Sequence, residues 1–515
     1  MSTLFHNGRF FQSGPRGENH RFTECVLADG AGTITHVGLP SDPQIAEAEA
    51  AGVTKHDMKG HVVLPGFIDG HMHLLMMGQS LEKCDLDWCR NLQDIRMAIK
   101  EFAVRNPSAK RILCKGWMHS MTDGQALASM IDDLDLRPIF IDSKDLHSTW
   151  CNTAALAEMG VQSMPSPEGG EIHRDADGKA SGLLSEAAVV TLVWPHIARV
   201  ASMEERISAI KGAVAAYNAV GYTGLIEMAM DENAWEALQI LRQRETLPIR
   251  FAVHWLITPS KTEAENLAQI DRAIELNRQF SADTSPDCRV VGIKVITDGV
   301  IDSCTAALTE PYSSNGASCG PIWSPEELGP VVKTADAAGL QVALHAIGDL
   351  AVRNAIDALE HNAAPGGQRR HRIEHLELTS PEDAARLGRL GITASVQPVH
   401  ADPSILRAWP ALLSPRRCAR AFAYREFVDD GAVLAIGSDA PTAPYPPLRN
   451  LHTAATRRSA REPLLADRVN PEFALELAAA VAAATAGSAY SCFADRWAGR
   501  LEVGRSADFA VVDME

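Results

Sequence analysis

Paired cysteines are missing from this sequence. Ten cysteines are scattered along 515 residues, and no two of them form a CxxC motif. A disulfide framework or a zinc ribbon needs closely spaced cysteines, so the pattern excludes both and indicates reduced thiols. A secretory leader is missing as well, because "MSTLFHNGRFFQ" has no basic start followed by an apolar core and a small-residue cleavage site. We therefore expect a cytoplasmic location.

Positive charge is scarce. The chain has 48 Lys and Arg against 65 Asp and Glu, which gives a net charge of -17. Nucleic acids and anionic membranes bind clustered positive charge, so neither is expected as a partner. A membrane-spanning run is absent too, since the longest apolar stretch near the end, residues 473–487, contains Glu476 and is short for a span. This stretch is more typical of an alanine-rich packed helix.

Short apolar or β-branched runs recur along the chain, and helix-like stretches lie between most of them. The eight runs cover residues 61–73, 221–229, 249–257, 289–299, 340–349, 370–377, 391–400 and 432–441. Strand and helix alternating eight times predict an α/β fold, a (β/α)8 TIM barrel. Residues 111–116 and 138–142 also look like strands, so the number of strands could differ from eight.

Six polar residues stand near the C-terminal ends of these runs, where barrels of this kind carry their chemistry. His71 and His73 are one residue apart, so on a strand they share a face and can bind one metal ion. Any one such residue alone is more often a satisfied structural residue. All six at matching ends favour one site suited to a divalent metal, formed by His71, His73, Lys294, His345, His375 and Asp439.

Longer motifs carry a family resemblance. They are "LPGFIDGHMHL", "LHSTWCNTAALAEMG", "GGEIHRDADGKASGLLSEAA", "IKVITDGVIDSCTAALTEPY", "HAIGD", "HRIEH", "SVQPVH" and "GSDAP". Through them nearly the whole chain resembles the amidohydrolase superfamily (amidohydrolase family three), in particular the YtcJ-like branch that includes N-substituted formamide deformylases. The resemblance implies a metal-dependent hydrolase that acts on a small-molecule substrate and assembles as a homo-oligomer, expected to be a dimer.

The resemblance also implies how metal is held. His71 and His73 would bind the more buried metal, with Asp439 beside it. His345 and His375 would hold a second metal, which gives a binuclear metal centre. The expected metal is Zn²⁺, with one or two ions per chain.

Lys294 needs a separate explanation, because an ammonium group cannot bind a cation. The resemblance implies that it reacts with carbon dioxide, and that the resulting N6-carboxylysine bridges two metals. The alternative is a charged Lys294 that pairs with Asp298 or Asp302.

Asp439, Lys294 and His345 are the expected catalytic residues. A bound Zn²⁺ can lower the pKa of water to roughly 7. Asp439 would accept the proton of that water and pass it to the leaving nitrogen. The expected reaction is hydrolysis of an amide-type C–N bond in an N-acyl or N-formyl compound with an apolar group.

Other reactions stay open, because a fold does not fix a reaction. A deaminase, a lactonase or a metal-dependent decarboxylase could use the same scaffold. A catalytically inactive scaffold should have lost a ligand, yet all six positions are occupied. A serine nucleophile is disfavoured because no GxSxG motif occurs, and only Cys151 and Cys304 lie within the quoted motifs.

The remaining segments predict the domain plan. Residues 61–440 are expected to form the barrel, with residues 80–200 as an insertion between strands 1 and 2 that covers the barrel mouth. Residues 1–60 and 441–515 are expected to form a small β-sandwich with terminal helices, small because the chain ends at Glu515.

Candidate substrate contacts come from the insertion and from the loops after strands 4 and 7. For the two tryptophans a position in the core of the insertion is the commoner alternative, and the glutamate is interpreted equally well as the start of a helix. The predicted set is Trp117, His147, Trp150, Glu186, Asp298, Thr305, Tyr312, Gln397 and His400.

Overall fold

The fold rests on a computed structural model that describes residues 2–144, 148–167, 170–186, 188–364 and 369–513. Eight parallel strands form one sheet in which each strand pairs with the next along the chain. Numbered in that order, the barrel strands are Phe67–Met72, Tyr222–Met230, Arg250–Ile257, Cys288–Ile296, Gln341–Ala346, Arg372–His375, Thr393–Val396 and Leu434–Ile436. The predicted TIM barrel is confirmed.

The barrel closes where the end of strand 8 meets strand 1. The Asp439 backbone N–H donates to the His71 carbonyl (2.7 Å), and the His73 N–H donates to the Ala440 carbonyl (3.0 Å). A Cβ at Gly437 would lie 2.3 Å from the His71 nitrogen. Only glycine therefore allows the two segments to approach so closely.

Helices follow most barrel strands. Several begin at a side-chain cap, as at Ser324, whose hydroxyl accepts the Glu327 N–H while the Glu327 carboxylate accepts the Ser324 N–H. The helices that follow strands 2 to 8 are Glu232–Arg244, Glu263–Gln279, Pro325–Ala337, Asp349–Asn362, Pro381–Leu390, Trp409–Leu413, Pro415–Cys418, Tyr424–Asp429 and Pro447–Thr456. Short 3₁₀ turns lie at Pro398–Ala401 and Pro471–Phe473.

The run at 61–73 is two strands, and the prediction of a single barrel strand there is wrong. Val62–Pro65 belongs to a separate sheet and only Phe67–Met72 belongs to the barrel. The chain changes partners at Gly66, whose N–H donates to the Asp508 carbonyl (2.8 Å), whereas the next N–H donates to the Gly221 carbonyl (3.0 Å). A Cβ at Gly66 would lie 2.3 Å from the Thr223 hydroxyl oxygen.

The terminal segments form the predicted small β-sandwich. One sheet contains Thr3–His6, Cys25–Ala28, Ile34–Gly38 and Thr54–Asp57, and the other contains Arg9–Gln12, Arg21–Thr23, Val62–Pro65 and Phe509–Val512. Buried side chains from both sheets share one core of Phe10, Val26, Ile34, Met58, Val63 and Leu501. The helix Pro43–Ala50 also lies in this segment.

The alanine-rich stretch forms the expected packed helix. It comprises Leu477–Ala482, a π-helical turn at Ala483–Gly487 and Ser488–Ser491. Ala489 in this helix packs against barrel-strand residues such as Ile68 and Ile226. Three residues after the helix belong to the same buried cluster: Cys492, Ala494 and Ala498. No helix in the described ranges is long and apolar enough to cross a membrane.

Residues 74–213 and 232–245 form a second compact unit, and the rest of the chain forms the first. The insertion after barrel strand 1 is thus observed, while its exact limits and its role as a cover stay predictions. Its sheet has the order Gly170–Arg174, Ala180–Glu186, Ser148–Cys151, Ile139–Ser143, Ile112–Trp117 and Cys84–Asp85. Its helices include Leu74–Glu82, Leu92–Arg105, Thr153–Met159 and Trp194–Val200, with Met203–Ala219 leading back to the barrel.

Candidate metal centre

Two histidines and one aspartate meet where barrel strands 1 and 8 end. The Nε2 atoms of His71 and His73 lie 3.3 and 3.0 Å from Asp439 Oδ1. His71 is fully buried, and its Nε2 atom has no hydrogen-bond partner among the described residues. Unsatisfied buried nitrogens are costly unless they bind something. Two imidazoles and a carboxylate around one point are ligands that suit Zn²⁺, so these residues fit a metal.

Asp439 is fixed in an uncommon backbone conformation. Its φ is +57°, in the left-handed region that non-glycine residues rarely occupy. The buried carboxylate of Asp69 accepts hydrogen bonds from the Ser438 hydroxyl (2.6 Å), the Ser438 N–H (2.8 Å) and the His71 N–H (3.1 Å). Asp69 thereby joins strand 1 to the segment that carries Asp439. Burial raises the pKa of Asp69 to about 7.

The charge of Asp439 is also determined by its neighbours. Burial by itself would raise the pKa of this carboxyl, but the neighbouring His71 and His73 side chains hold the pKa well below its ordinary value. Asp439 is therefore ionised at neutral pH. An ionised carboxylate can accept a proton, which is what the predicted mechanism requires of it.

Glu374 orients His71 from the side opposite the candidate metal position. Its Oε2 atom lies 2.7 Å from His71 Nδ1, and both side chains are buried. Arg372, also fully buried, donates to Glu374 from Nε (2.6 Å) and to the Gly70 carbonyl from Nη2 (2.5 Å). With its Nδ1 proton directed to Glu374, His71 presents an unprotonated Nε2 to a metal.

We expect Glu374→Gln to weaken zinc binding by about 10–100-fold, because the carboxylate that orients His71 is lost. Zinc titration against a competing chelator, together with thermal unfolding, measures the effect. The matched control is Glu382→Gln, at an exposed position on the helix Pro381–Leu390. Unchanged zinc affinity in a folded Glu374→Gln variant would contradict this role.

Lys294 lies inside the barrel on strand 4 and is 2% exposed. Its Nζ atom makes no hydrogen bond to any described residue, so neither Asp298 nor Asp302 accepts one from it. Burial lowers the pKa of Lys294 to about 8. Asp298 instead accepts the N–H groups of Ile347 (3.0 Å) and Gly348 (2.8 Å). The alternative of a lysine paired with either aspartate is not found in the described chain.

His345 and His375 come close together, as their predicted shared role requires. Their ring centroids are 4.3 Å apart. His345 Nε2 lies 3.4 Å from Asp298 Oδ1, and His375 Nδ1 has no hydrogen-bond partner within the described ranges. The donor atoms of His375 also lie near those of Glu377 and His400, and these three could hold a cation as well. The ligands of a second metal stay a prediction.

Three glutamates near this cluster were missed by the sequence analysis. Glu227 on strand 2 is buried with Oε1 4.0 Å from His73 Nδ1. Glu374 and Glu377 flank His375 in the motif "HRIEHLE". The sequence could have identified them, because a charged residue near the end of an apolar run is also what identified Lys294.

The predicted substrate contacts in the insertion lie within the second unit. Trp117 and Trp150 are fully buried in its hydrophobic core, with ring centroids 5.5 Å apart. Glu186 ends the strand Ala180–Glu186 with φ +56°. His147 lies outside the described residues. A core position is the commoner one for tryptophan, and contact of these residues with a substrate stays a prediction.

The predicted contacts after strand 4 already bond within the protein. The Asp298 Oδ2 atom also accepts the Ala307 N–H (3.0 Å), and the Thr305 hydroxyl accepts the Val300 N–H (3.0 Å). The Tyr312 hydroxyl donates to the Ala306 carbonyl (3.1 Å). After strand 7 the situation differs, because the Gln397 amide is buried and its polar atoms lack a hydrogen-bond partner among the described residues.

A parallel barrel with histidines and carboxylates close together at the ends of its strands defines a TIM-barrel protein with a candidate metal centre. A family model described as the amidohydrolase family matches residues 56–515. The chain belongs to the amidohydrolase family.

Relatives of known name span most of the chain. Protein LONG AFTER FAR-RED 3 of Arabidopsis thaliana is 30% identical over 90% of this chain and 79% of its own length. An N-substituted formamide deformylase of Arthrobacter pascens is 24% identical over 96% of this chain and 90% of its own length. The crystal structure of an uncharacterized metal-dependent hydrolase from Pyrococcus horikoshii has the same fold, with a TM-score of 0.83, 24% identity and coverage of 100% of this chain and 98% of that one.

Proposed function

We propose that this protein is a zinc-dependent amidohydrolase that hydrolyses an amide-type C–N bond of a small, partly apolar N-acyl or N-formyl substrate. The observation that carries the proposal is that His71 Nε2 and His73 Nε2 lie 3.3 and 3.0 Å from Asp439 Oδ1 where barrel strands 1 and 8 end. The name of the formamide deformylase relative supports an N-formyl group among the candidates.

Each residue has a defined task in this proposal. His71, His73 and Asp439 would hold one Zn²⁺, with His345 and His375 available for a second. A bound Zn²⁺ supplies Lewis acidity, which lowers the pKa of water to roughly 7 and polarises a carbonyl group. The ionised Asp439 accepts the proton of the attacking water and returns it to the leaving nitrogen. Catalytic roles for Lys294 and His345 belong to the same proposal.

Substrate contacts are proposed more narrowly. Gln397 is favoured because its buried amide lacks a hydrogen-bond partner among the described residues and follows a barrel strand directly. An amide group can donate and accept, which suits recognition of an amide substrate. The cytoplasmic location and the dimeric assembly expected from the sequence also belong to the proposal.

Product analysis tests the reaction. Zinc-loaded protein is incubated with formanilide, acetanilide and the matching N-butyl amides, and the released amine and acid are measured. We expect equal amounts of amine and acid from at least one compound and none after treatment with a chelator. Release of no amine from any N-acyl or N-formyl amide would contradict the proposal. Ammonia, a hydroxy acid or carbon dioxide from other compounds would indicate a deaminase, a lactonase or a decarboxylase.

Carboxylation of Lys294 is supported by its burial and by its pKa of about 8, since a neutral amine is the form that attacks carbon dioxide. The neutral amine nitrogen forms a bond to the carbon of carbon dioxide and releases one proton, so the side chain becomes an anionic carbamate. A lysine that starts as an ammonium must first lose another proton. We expect protein purified with bicarbonate and without chelator to contain about two zinc ions per chain by elemental analysis.

The Lys294→Met variant should lose about one of these ions. The control is Lys333→Met, an exposed position on the helix Pro325–Ala337. About one zinc in the unmodified protein, unchanged in Lys294→Met, would leave Lys294 as an ordinary amine.

A further inference from the structure

A histidine–glutamate pair lies beside Asp439 and has no task in the mechanism above. The His400 Nδ1 atom lies 3.2 Å from Glu377 Oε1, and its Nε2 atom lies 3.6 Å from Asp439 Oδ2. Glu377 is 6% exposed, whereas the side chain of His400 is 17% exposed. The imidazole is therefore anchored at one nitrogen, while its ring retains an accessible part.

The backbone holds both members of the pair in place. At the end of strand 6 two consecutive non-glycine residues have positive φ, His375 (+76°), which is the last residue of the strand, and Leu376 (+54°). Such a conformation is costly and persists only where the surroundings enforce it. The Glu377 carbonyl accepts the Phe422 N–H (2.8 Å), which fixes the glutamate after this bend.

His400 is held as firmly. It lies in the 3₁₀ turn Pro398–Ala401, which the Asn450 side chain anchors by accepting the Val399 N–H (3.0 Å). The rings of His375 and His400 are parallel within 5°, with centroids 5.9 Å apart. Both contacts restrict the direction in which the Nε2 atom points.

Each ring nitrogen of His400 faces a carboxylate. Glu377 stands at Nδ1 and Asp439 stands at Nε2, and an ionised carboxylate can only accept hydrogen bonds. A hydrogen on Nε2 would therefore face an acceptor oxygen, as a hydrogen on Nδ1 would at Glu377. The 3.6 Å separation from Asp439 is longer than a strong hydrogen bond, so the Nε2–H group is available to another acceptor near Asp439.

We infer that His400 donates a hydrogen bond from Nε2 to the substrate's carbonyl oxygen as water adds to the carbonyl carbon, and that Glu377 positions the imidazole. The carbonyl oxygen gains negative charge when the new C–O bond forms, and a fixed donor at that point stabilises the transition state more than the substrate. This inference rests on the proposed function, because Asp439 must serve the same carbonyl carbon with its attacking water.

The three donors His375, Glu377 and His400 also permit a different role, since a cation could occupy the space among them. In that case His400 would turn a nitrogen to the metal. The two roles differ in what removal of His400 does to the metal content. The experiment therefore measures metal and anion binding separately.

Methylphosphonate, a tetrahedral anion that resembles the hydrated carbonyl, serves as the probe of zinc-loaded protein by calorimetry. We expect His400→Ala to bind it about 10–100-fold more weakly with unchanged zinc content, and to hydrolyse the best amide about 10²–10³-fold more slowly with little change in KM. His400→Gln, which restores an N–H donor, should recover part of both losses. The control is His452→Ala, at an exposed position on the helix Pro447–Thr456.

Two outcomes would overturn the inference. Loss of zinc in folded His400→Ala and His400→Gln would make His400 a metal ligand, and unchanged methylphosphonate binding with unchanged kcat would remove it from the site. If no amide is hydrolysed by the unmodified protein but methylphosphonate binding still depends on His400, the proposed function fails while the anion-binding role stands.

The positioning role of Glu377 has its own test, a double-mutant cycle. We expect Glu377→Gln to lower kcat and methylphosphonate affinity by about 10-fold, and to add little to the loss in the His400→Ala background. A residue that only stabilised the fold would give additive losses. Additive losses, or none from Glu377→Gln alone, would contradict the assigned role.

Discussion

Replacement of His71 by alanine is expected to lower amide hydrolysis by more than about 10³-fold, because the supply of hydroxide at neutral pH depends on the metal. The variant loses a buried nitrogen that lies 3.3 Å from Asp439 Oδ1. Two donors are too few for tight binding of Zn²⁺. Elemental analysis of the purified variant should therefore show about one metal ion fewer per chain.

The design of this experiment must separate metal binding from folding, because His71 is fully buried. His71→Asn preserves polarity and most of the volume, and thermal unfolding of both variants shows whether the barrel persists. His361→Ala, at an exposed position on the helix Asp349–Asn362, is the control. A folded His71→Ala protein with full metal content and full turnover would show that the metal site is assigned to the wrong residues.

The barrel could be predicted from the sequence because its strands are buried on both faces. Such strands appear as short apolar runs, and each of the eight predicted runs overlaps a barrel strand. The same property caused the error at residues 61–73. An apolar run carries no mark of the point where the chain leaves one sheet for another, and the change at Gly66 is fixed by partners as distant in sequence as Asp508.

The candidate site could be predicted only in part, for a related reason. Lys294 and the histidines stand out because their side chains contrast with apolar neighbours. Glu374 gives the same contrast, yet its task depends on Arg372 and on His71, which lies 303 positions away. Interactions of that kind arise from the closure of the barrel, and local spacing does not contain them.

The insertion shows a second limit of predicting a site from the sequence. Trp117 and Trp150 were predicted as substrate contacts because they lie in the insertion that is expected to cover the barrel mouth, and that prediction remains untested. A large aromatic side chain makes tryptophan a strong core residue, and both lie in the core of the second unit. Residue type alone does not separate these two uses, whereas an unsatisfied buried polar group, as at Gln397, points to a ligand more directly.

Replacement of Asp439 by asparagine is expected to separate metal binding from proton transfer. Asparagine retains a side-chain oxygen at the place where His71 and His73 converge, so the variant should keep its metal. An amide cannot accept the proton of water at neutral pH. Because general base and acid catalysis contributes about 10²–10⁴-fold, kcat should fall by that factor while the metal content stays unchanged.

The measurement pairs elemental analysis with steady-state kinetics on the amide that the protein hydrolyses best. Asp429→Asn, on the exposed side of the helix Tyr424–Asp429, is the matched control and should leave both quantities unchanged. Asp439 is ionised because His71 and His73 lower its pKa, so an amide at this position removes a charge as well as a base. Substantial residual turnover in metal-loaded Asp439→Asn would show that another group transfers the proton. The buried Glu227 near His73 would be the first candidate to test.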